Sequence, residues 1–308
     1  MNHSPFRMLT GFARRTLAAV GRGPFSRMAL ACFRRPEPSA EGIGIHMLVS
    51  GSTIHGGMLA AASLELHSGR RWKWFVHSDG SVTDRQAADL CRIFPDIRYI
   101  AREEADIRSA EFLRAHPMCL ANRSRHNLFL KFLDVAAFAE GPQLMVLDSD
   151  VIFFSRPREI LEWVDTRSKV ARYNEDTREK FCIPRGEIEA ALPVVPPPRF
   201  NSGLVLMPRD AMNLDLAERL LKIFEDRAHA PQFFEQTLYA LMAGVNPEGA
   251  AALPRSYEIS WGYLRSRGSV CRHYVGEFKH DLLYIEGATT LAMRSALSRL
   301  HVRAKQAE

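Results

Sequence analysis

Residues 144–157, LMVLDSDVIFFSRP, constrain the fold of this chain more than any other stretch. Four apolar residues, Leu144–Leu147, run into Asp148-Ser149-Asp150, and four more apolar residues follow. A short apolar run bounded by polar residues predicts a strand covered on both faces, as in parallel sheets flanked by helices. Side chains alternate along an extended chain, so Asp148 and Asp150 fall on the same side. The carboxyl end of a buried parallel strand is where open α/β sheets bind ligands. Two like charges there are costly unless a cation or hydrogen-bond donors neutralise them. Hard carboxylate oxygens suit Mg²⁺ or Mn²⁺, either of which can bridge a diphosphate. An isolated Asp-x-Asp triplet is more often a turn. Its place after one apolar run and before another is what favours a site.

The surrounding pattern agrees with such a sheet. Ile43–Ser50, Trp72–Ser78, Asp96–Arg102 and Gln143–Leu147 read as strands. Met58–His67, Thr83–Phe94 and Ser124–Ala139 read as helices between them. This alternation predicts an α/β fold with an open, mostly parallel sheet flanked by helices. After the rigid break Val194–Arg199 (VVPPPR), strands at Phe200–Met207 and Arg272–Val275 alternate with helices at Leu214–Asp226 and Phe233–Met242. A single domain with a smaller antiparallel element in the C-terminal half is expected. The 308-residue chain, 46% hydrophobic and 25% charged, is globular in balance, which excludes a disordered or low-complexity scaffold. A core of that size needs no disulfide or structural zinc. Five scattered Cys without a CxxC pair fit a reducing, cytoplasmic setting.

Charge is unevenly placed. The net charge is +6, yet residues 1–35 carry seven Arg and no acid. The remainder therefore has 34 basic against 35 acidic residues and is neutral. A nucleic-acid binder spreads its basic stripe over the fold, so no nucleic-acid partner is expected. Leu9, Phe12, Ala13, Leu17 and Val20 share one helical face, flanked by Arg7, Arg14 and Arg15. Such an amphipathic segment suits an anionic membrane surface, here the cytoplasmic face; a solvated leader is the plainer alternative. Near the C-terminus, Met293, Ala296, Leu297 and Leu300 repeat the pattern with Arg294, Arg299 and Arg303 around them, and a helix capping the domain suffices. The expected layout is a basic arm over 1–40, a catalytic domain over 41–287 and a basic helix over 288–308. No apolar run approaches the ~18 residues of a spanning helix.

Two further motifs bear chemistry. Phe200-Asn201-Ser202-Gly203 opens an apolar strand with small polar residues, which suits close approach of backbone to ligand. Alone, a turn before a strand explains it. In His273-Tyr274-Val275-Gly276-Glu277-Phe278-Lys279, a strand-end His can complete a metal site through its neutral ring. Gly276 lets a phosphate approach its amide, and Lys279 adds a compact positive charge. A lone His is more often a satisfied core or surface residue; here the joint spacing carries the reading.

In this order, LDSDV, FNSG, EQ, LPxxY and HxxGxxK resemble the GT-A fold glycosyltransferases that use nucleotide-diphospho-sugars. The similarity is to the retaining family 8 of glycogenin and bacterial lipopolysaccharide galactosyltransferases, and it runs over residues 43–285. The resemblance implies Mn²⁺ or Mg²⁺ held by Asp148, Asp150 and His273, with a UDP-sugar as donor and a glycan or glycolipid as acceptor. Lys279 and the Gly276 amide would meet the phosphates, and Asn201 and Ser202 the donor sugar. Glu235-Gln236 matches the acidic residue–Gln pair whose Gln lies near the anomeric carbon. Lys131 stands where a basic residue contacts the donor, and Leu48, Val49 and Ser50 would lie near the base. The chain departs from the family in having His280-Asp281 after Lys279, Glu235 for Asp, and Glu258 after the Tyr257 of LPxxY. It resembles a divergent member, so its acceptor is not borrowed from a relative.

Two rivals remain. A sugar-nucleotide pyrophosphorylase should carry a Gly- and basic-rich loop after its first strand, yet Ser50–Gly57 holds no Arg or Lys. A catalytically inactive binding protein of the same fold should not keep Asp148, Asp150, His273 and Lys279 together. Phosphate-loop, GxSxG and HExxH patterns are absent from the sequence.

Overall fold

The computed structural model describes residues 25–38, 43–224, 226, 231–260, 265–276 and 282–293. The strands in chain order are β1 (Gly44–Val49), β2 (Lys73–Ser78), β3 (Arg98–Ile100), β4 (Gln143–Leu147), β5 (Val151–Phe153), β6 (Ala171–Glu175), β7 (Phe200–Pro208), β8 (Ala250–Ala252), β9 (Tyr257–Ser260) and β10 (Cys271–Tyr274). Seven of them form one sheet in the order β3-β2-β1-β4-β7-β6-β8. The β1–β2, β2–β3, β1–β4 and β6–β8 pairs are parallel, so the sheet is mostly parallel. The chain lays β2 and β3 on one side of β1, then returns to place β4 on the other. That reversal opens a crevice beyond the carboxyl ends of β1 and β4.

The apolar run at β4 behaves as its composition requires. Met145 and Leu147 pack into a core with Ile45, Met47, Leu204 and Leu206. Leu144 and Val146 face the opposite core with Phe132, Val205, Leu220 and Leu238. All five residues of β4 are buried, so the strand is covered on both faces. Helix Ile54–Ser68 lies close against β1. A Cβ at Gly57 would come within 2.8 Å of Met47 Sδ, and one at Gly56 within 2.9 Å of the Ser149 carbonyl oxygen.

Strand β7 is antiparallel to both β4 and β6, with Leu204 opposite Leu147. The FNSG motif at the start of β7 therefore meets the DSD motif at the end of β4. A second, three-stranded sheet has the order β5-β10-β9. There β10 is antiparallel to β5, with His273 opposite Val151, and parallel to β9.

Some expected elements differ. The helix expected over 124–139 is interrupted: helix Pro117–Arg125 ends, a 3-10 turn spans Asn127–Phe129, and a second helix covers Leu130–Phe138. His126 is extended at φ −147° and ψ 123°, and its Nδ1 accepts from the Leu128 N–H at 3.2 Å. The ring caps the new turn, so the apolar period runs on while the helix does not. Helix Met58–His67 begins earlier, at Ile54. Helices Arg102–Phe112, Arg158–Asp165 and Arg185–Ala191 and the short β6, β8 and β9 had no distinct sequence signal, whereas β5 is the apolar run after Asp150.

At the chain ends, helix Ser26–Cys32 buries Ala29 and Leu30 in the main core, and helix 282–293 buries Leu283, Ala288 and Leu291 there. Residues 1–24, Lys279 and 294–308 lie outside the described residues. All five cysteines are free thiols. Among the described residues no helix is long and apolar enough to cross a membrane.

Candidate functional site

Backbone pairing sets the two carboxylates. Past the end of β4, the Asp148 N–H donates to the Gly203 carbonyl at 2.8 Å. The Tyr274 N–H donates to the Asp150 carbonyl at 3.0 Å. Asp148 is thereby tied to β7 and Asp150 to β10, the strand that carries His273. Oxygens of Asp148 and Asp150 and a ring nitrogen of His273 all lie within 4.8 Å of one another. His273 Nε2 is 3.3 Å from Asp150 Oδ1 and 3.7 Å from Asp148 Oδ2. Asp150 and His273 are buried, and Asp148 is partly exposed.

The tautomer of His273 follows from Asn201. Asn201 Nδ2 donates to Asp176 Oδ2 at 3.4 Å, and Asn201 Oδ1 accepts from the Gly203 N–H at 2.9 Å. Those two contacts orient the amide, so an acceptor faces His273 Nδ1 at 3.0 Å. Nδ1 therefore carries the proton, and Nε2 turns its lone pair toward the two carboxylates. Two carboxylates and a ring nitrogen converge here, and a cation among them would offset their mutual repulsion. Two carboxylates and a neutral imidazole, with the ring oriented by an outer hydrogen bond, fit a divalent cation such as Mn²⁺. Gly203 completes this seat. A Cβ there would lie 2.3 Å from Cε1 and 2.4 Å from Nδ1 of His273, so a side chain would displace the ring.

Lys131 occupies the floor. Its Nζ ion-pairs with Asp148 Oδ1 at 2.6 Å and Glu235 Oε1 at 3.2 Å. It also donates to Ser202 Oγ at 3.2 Å, and that hydroxyl donates to Glu235 Oε2 at 3.0 Å. The ammonium thus has Asp148, Glu235 and Ser202 around it within the protein. Burial opposes the charge of Lys131, but Asp148 and Glu235 outweigh it and hold its pKa above the usual range. Burial pushes the Glu235 carboxyl up to about 7, against the pull of Lys131. Next along the helix, Gln236 Nε2 donates to the Lys180 carbonyl at 2.6 Å, which anchors its amide.

These groups line a cavity of about 340 Å³. Leu48, Val49, Ser50, Lys131, Asp148, Asp150, Asn201, Ser202, Glu235, Gln236 and His273 all reach it, so the structure brings together eleven of the residues singled out from sequence. Gly276, at φ 62°, does not line it. Asp79 and Asn127 also line the wall, and Asp176 orients Asn201 from behind. Sequence reasoning missed all three. Asp79 follows directly on β2, so the strand-end rule could have found it; Asn127 and Asp176 act through contacts that leave no local pattern.

No protein-family model and no curated protein matches the sequence. Solved structures match the fold. The apo form of mouse xyloside xylosyltransferase 1 is 14% identical, with a TM-score of 0.53 over 77% of this chain and 99% of that one. An active-site mutant of LgtC is 14% identical, with a TM-score of 0.53 over 81% of this chain and 95% of that one. The galactosyltransferase LgtC in complex with donor and acceptor sugar analogs is 14% identical, with a TM-score of 0.50 over 82% and 95%. At this identity the likeness establishes architecture: the chain has the GT-A fold, as the sequence motifs implied. Within it Asp148 and Asp150, past the end of β4, meet His273 of β10 in a group that could hold a metal ion.

Proposed function

We propose that this protein is a metal-dependent glycosyltransferase that moves a sugar from a UDP-sugar to a hydroxyl of a glycan or lipid-linked acceptor, with retention. The observation that carries the reading is the convergence of Asp148, Asp150 and His273 at a cavity that Leu48, Val49 and Ser50 also line. Asp148, Asp150 and the Nε2 of His273 would hold Mn²⁺ or Mg²⁺, which supplies Lewis-acid stabilisation of the departing diphosphate. Leu48, Val49 and Ser50 would cover the base. Asn201, Ser202 and Gln236 would position the donor sugar, and the Gly276 amide with Lys279 would meet the phosphates.

Glu235 is tied on one side to Lys131 and on the other to Ser202. That favours a charge-balancing part over attack on the sugar. In a same-face displacement the acceptor oxygen bonds to the anomeric carbon as the bond to the diphosphate breaks, and the hydroxyl proton passes to a departing phosphate oxygen. Gln236 would then steady the cationic sugar. Arg7, Arg14, Arg15 and Arg22, with no acid in residues 1–24, support a cytoplasmic enzyme held at an anionic membrane face, where a lipid-linked acceptor resides, whereas Arg35 is committed to Glu65 and Asp96.

The test is calorimetric titration of UDP with and without Mn²⁺, together with UDP release from a panel of UDP-sugars. Wild type should bind UDP only with the metal and release it from one of the sugars, and Asp150→Asn should do neither. UDP affinity in Asp150→Asn equal to wild type in Mn²⁺ would overturn the assignment.

A further inference from the structure

A second and larger cavity, of about 410 Å³, lies on the other side of the loop after β1. Its chemistry is opposite to that of the first. Arg27, Arg85 and Arg92 stand at its rim, and Leu30, Ile54 and Met58 form an apolar floor. Asp89 is the one acid among the described lining residues, and Arg92 donates to it at 3.0 Å. The N-terminal end of helix Ile54–Ser68 opens into this space, with no acid in its first turn, so the backbone dipole adds to the positive rim. One wall is fixed: His55 Nε2 is 2.7 Å from Ser26 Oγ, and the imidazole stacks on Tyr284 with centroids 5.9 Å apart.

From this pairing of cationic rim and apolar floor we infer that the cavity binds an amphipathic anion, a phosphate monoester on a hydrocarbon body. Beyond the Arg92–Asp89 pair, Arg27 and Arg85 give the rim a positive excess that suits an anion, and guanidinium is the cation best matched to phosphate. A purely inorganic anion would leave the apolar floor uncovered, and a neutral hydrocarbon would leave the rim unused. Among the described lining residues only Asp89 is acidic, and Arg92 already holds it. The occupant would sit one loop from the first cavity: Gln86 lines this one and donates from Nε2 to the Gly51 carbonyl at 2.6 Å, while Ser50 and Thr53 line the other.

The experiment is calorimetric titration of decyl phosphate, below its micellar concentration, into the full chain without metal or nucleotide. Inorganic phosphate and decyl maltoside serve as the head-only and chain-only probes. Decyl phosphate should bind more tightly than either. Arg27→Ala and Arg85→Ala should each weaken it by about five- to tenfold, the scale of a charge-assisted contact reduced by exposure. Ala31→Trp, at an exposed lining position, should block it. Asp150→Asn should bind as wild type does, which separates this site from the proposed donor site. Equal binding by wild type, Arg85→Ala and Ala31→Trp, equal binding of decyl maltoside, or loss in Asp150→Asn would each overturn the inference. Sedimentation with phosphatidylcholine vesicles containing decyl phosphate or phosphatidic acid separates the sources. Sedimentation abolished by Ala31→Trp marks a lipid headgroup, and uptake of free decyl phosphate without it marks a soluble ester; both sustain the site.

Discussion

Nδ1 of His273 lies 3.0 Å from Oδ1 of Asn201, and this contact decides which ring nitrogen faces Asp148 and Asp150. Asn201→Ala removes the acceptor and frees the imidazole to turn or change tautomer. Outer partners of metal-ligating histidines are worth about 10- to 100-fold in metal affinity. Mn²⁺ titration followed by electron paramagnetic resonance should show a loss on that scale, with the melting temperature little changed. Unaltered Mn²⁺ affinity would refute the orienting part assigned to Asn201.

Gly203→Ala places a methyl group 2.3 Å from the imidazole. Neither β7 nor β10 can retreat, because both are paired on each side within their sheets. Overpacking of this kind costs about 1–3 kcal/mol. Urea denaturation should show that loss together with failed Mn²⁺ binding. A variant that keeps wild-type metal affinity shows that the ring has room to spare.

Lys131→Met leaves Glu235 buried without its cation. Removing one partner of a buried pair costs about 3–5 kcal/mol, whereas replacing both is far milder. The double variant Lys131→Met/Glu235→Gln should therefore be more stable than Lys131→Met alone. Denaturant midpoints for the two singles and the double close the cycle. Additive effects would mean that the two side chains do not act together.

The Glu235 carboxyl has its pKa raised from 4.5 to about 7. A raised folded-state value means that the native state holds a proton which the unfolded chain has released. The associated stability is fully present below pH 4.5 and is lost as pH rises through about 7. In metal-free protein the melting temperature should fall across that window, and Glu235→Gln should flatten the fall. Parallel curves for the two proteins would place the titration on another group.

Much of this site could be read from short stretches of chain. The apolar run before Asp148 specifies a strand covered on both faces, and side-chain alternation puts Asp148 and Asp150 on one side. FNSG and the His273–Gly276 segment have plainer readings alone, and stood out through their joint order after DSD. Asp176 left no such mark: its part is played through Asn201, 25 positions along. Lys131 could be chosen as a basic residue near the donor. Its commitment to Asp148, Glu235 and Ser202 depends on helix Leu130–Phe138 facing the start of β7 and the Glu235 helix.

Local physics and long-range physics divide the protein between them. Burial, periodicity and side-chain alternation are properties of neighbouring residues, so the chain alone marked strands such as β1, β2, β4 and β7, several helical faces and the identity of its chemical groups. The antiparallel entry of β7 brings Gly203 against Asp148, and the pairing of β10 with β5 brings His273 against Asp150. Only the tertiary structure decided those approaches, because register and strand order come from closing contacts between segments as many as 125 residues apart, whose free energy no single segment contains.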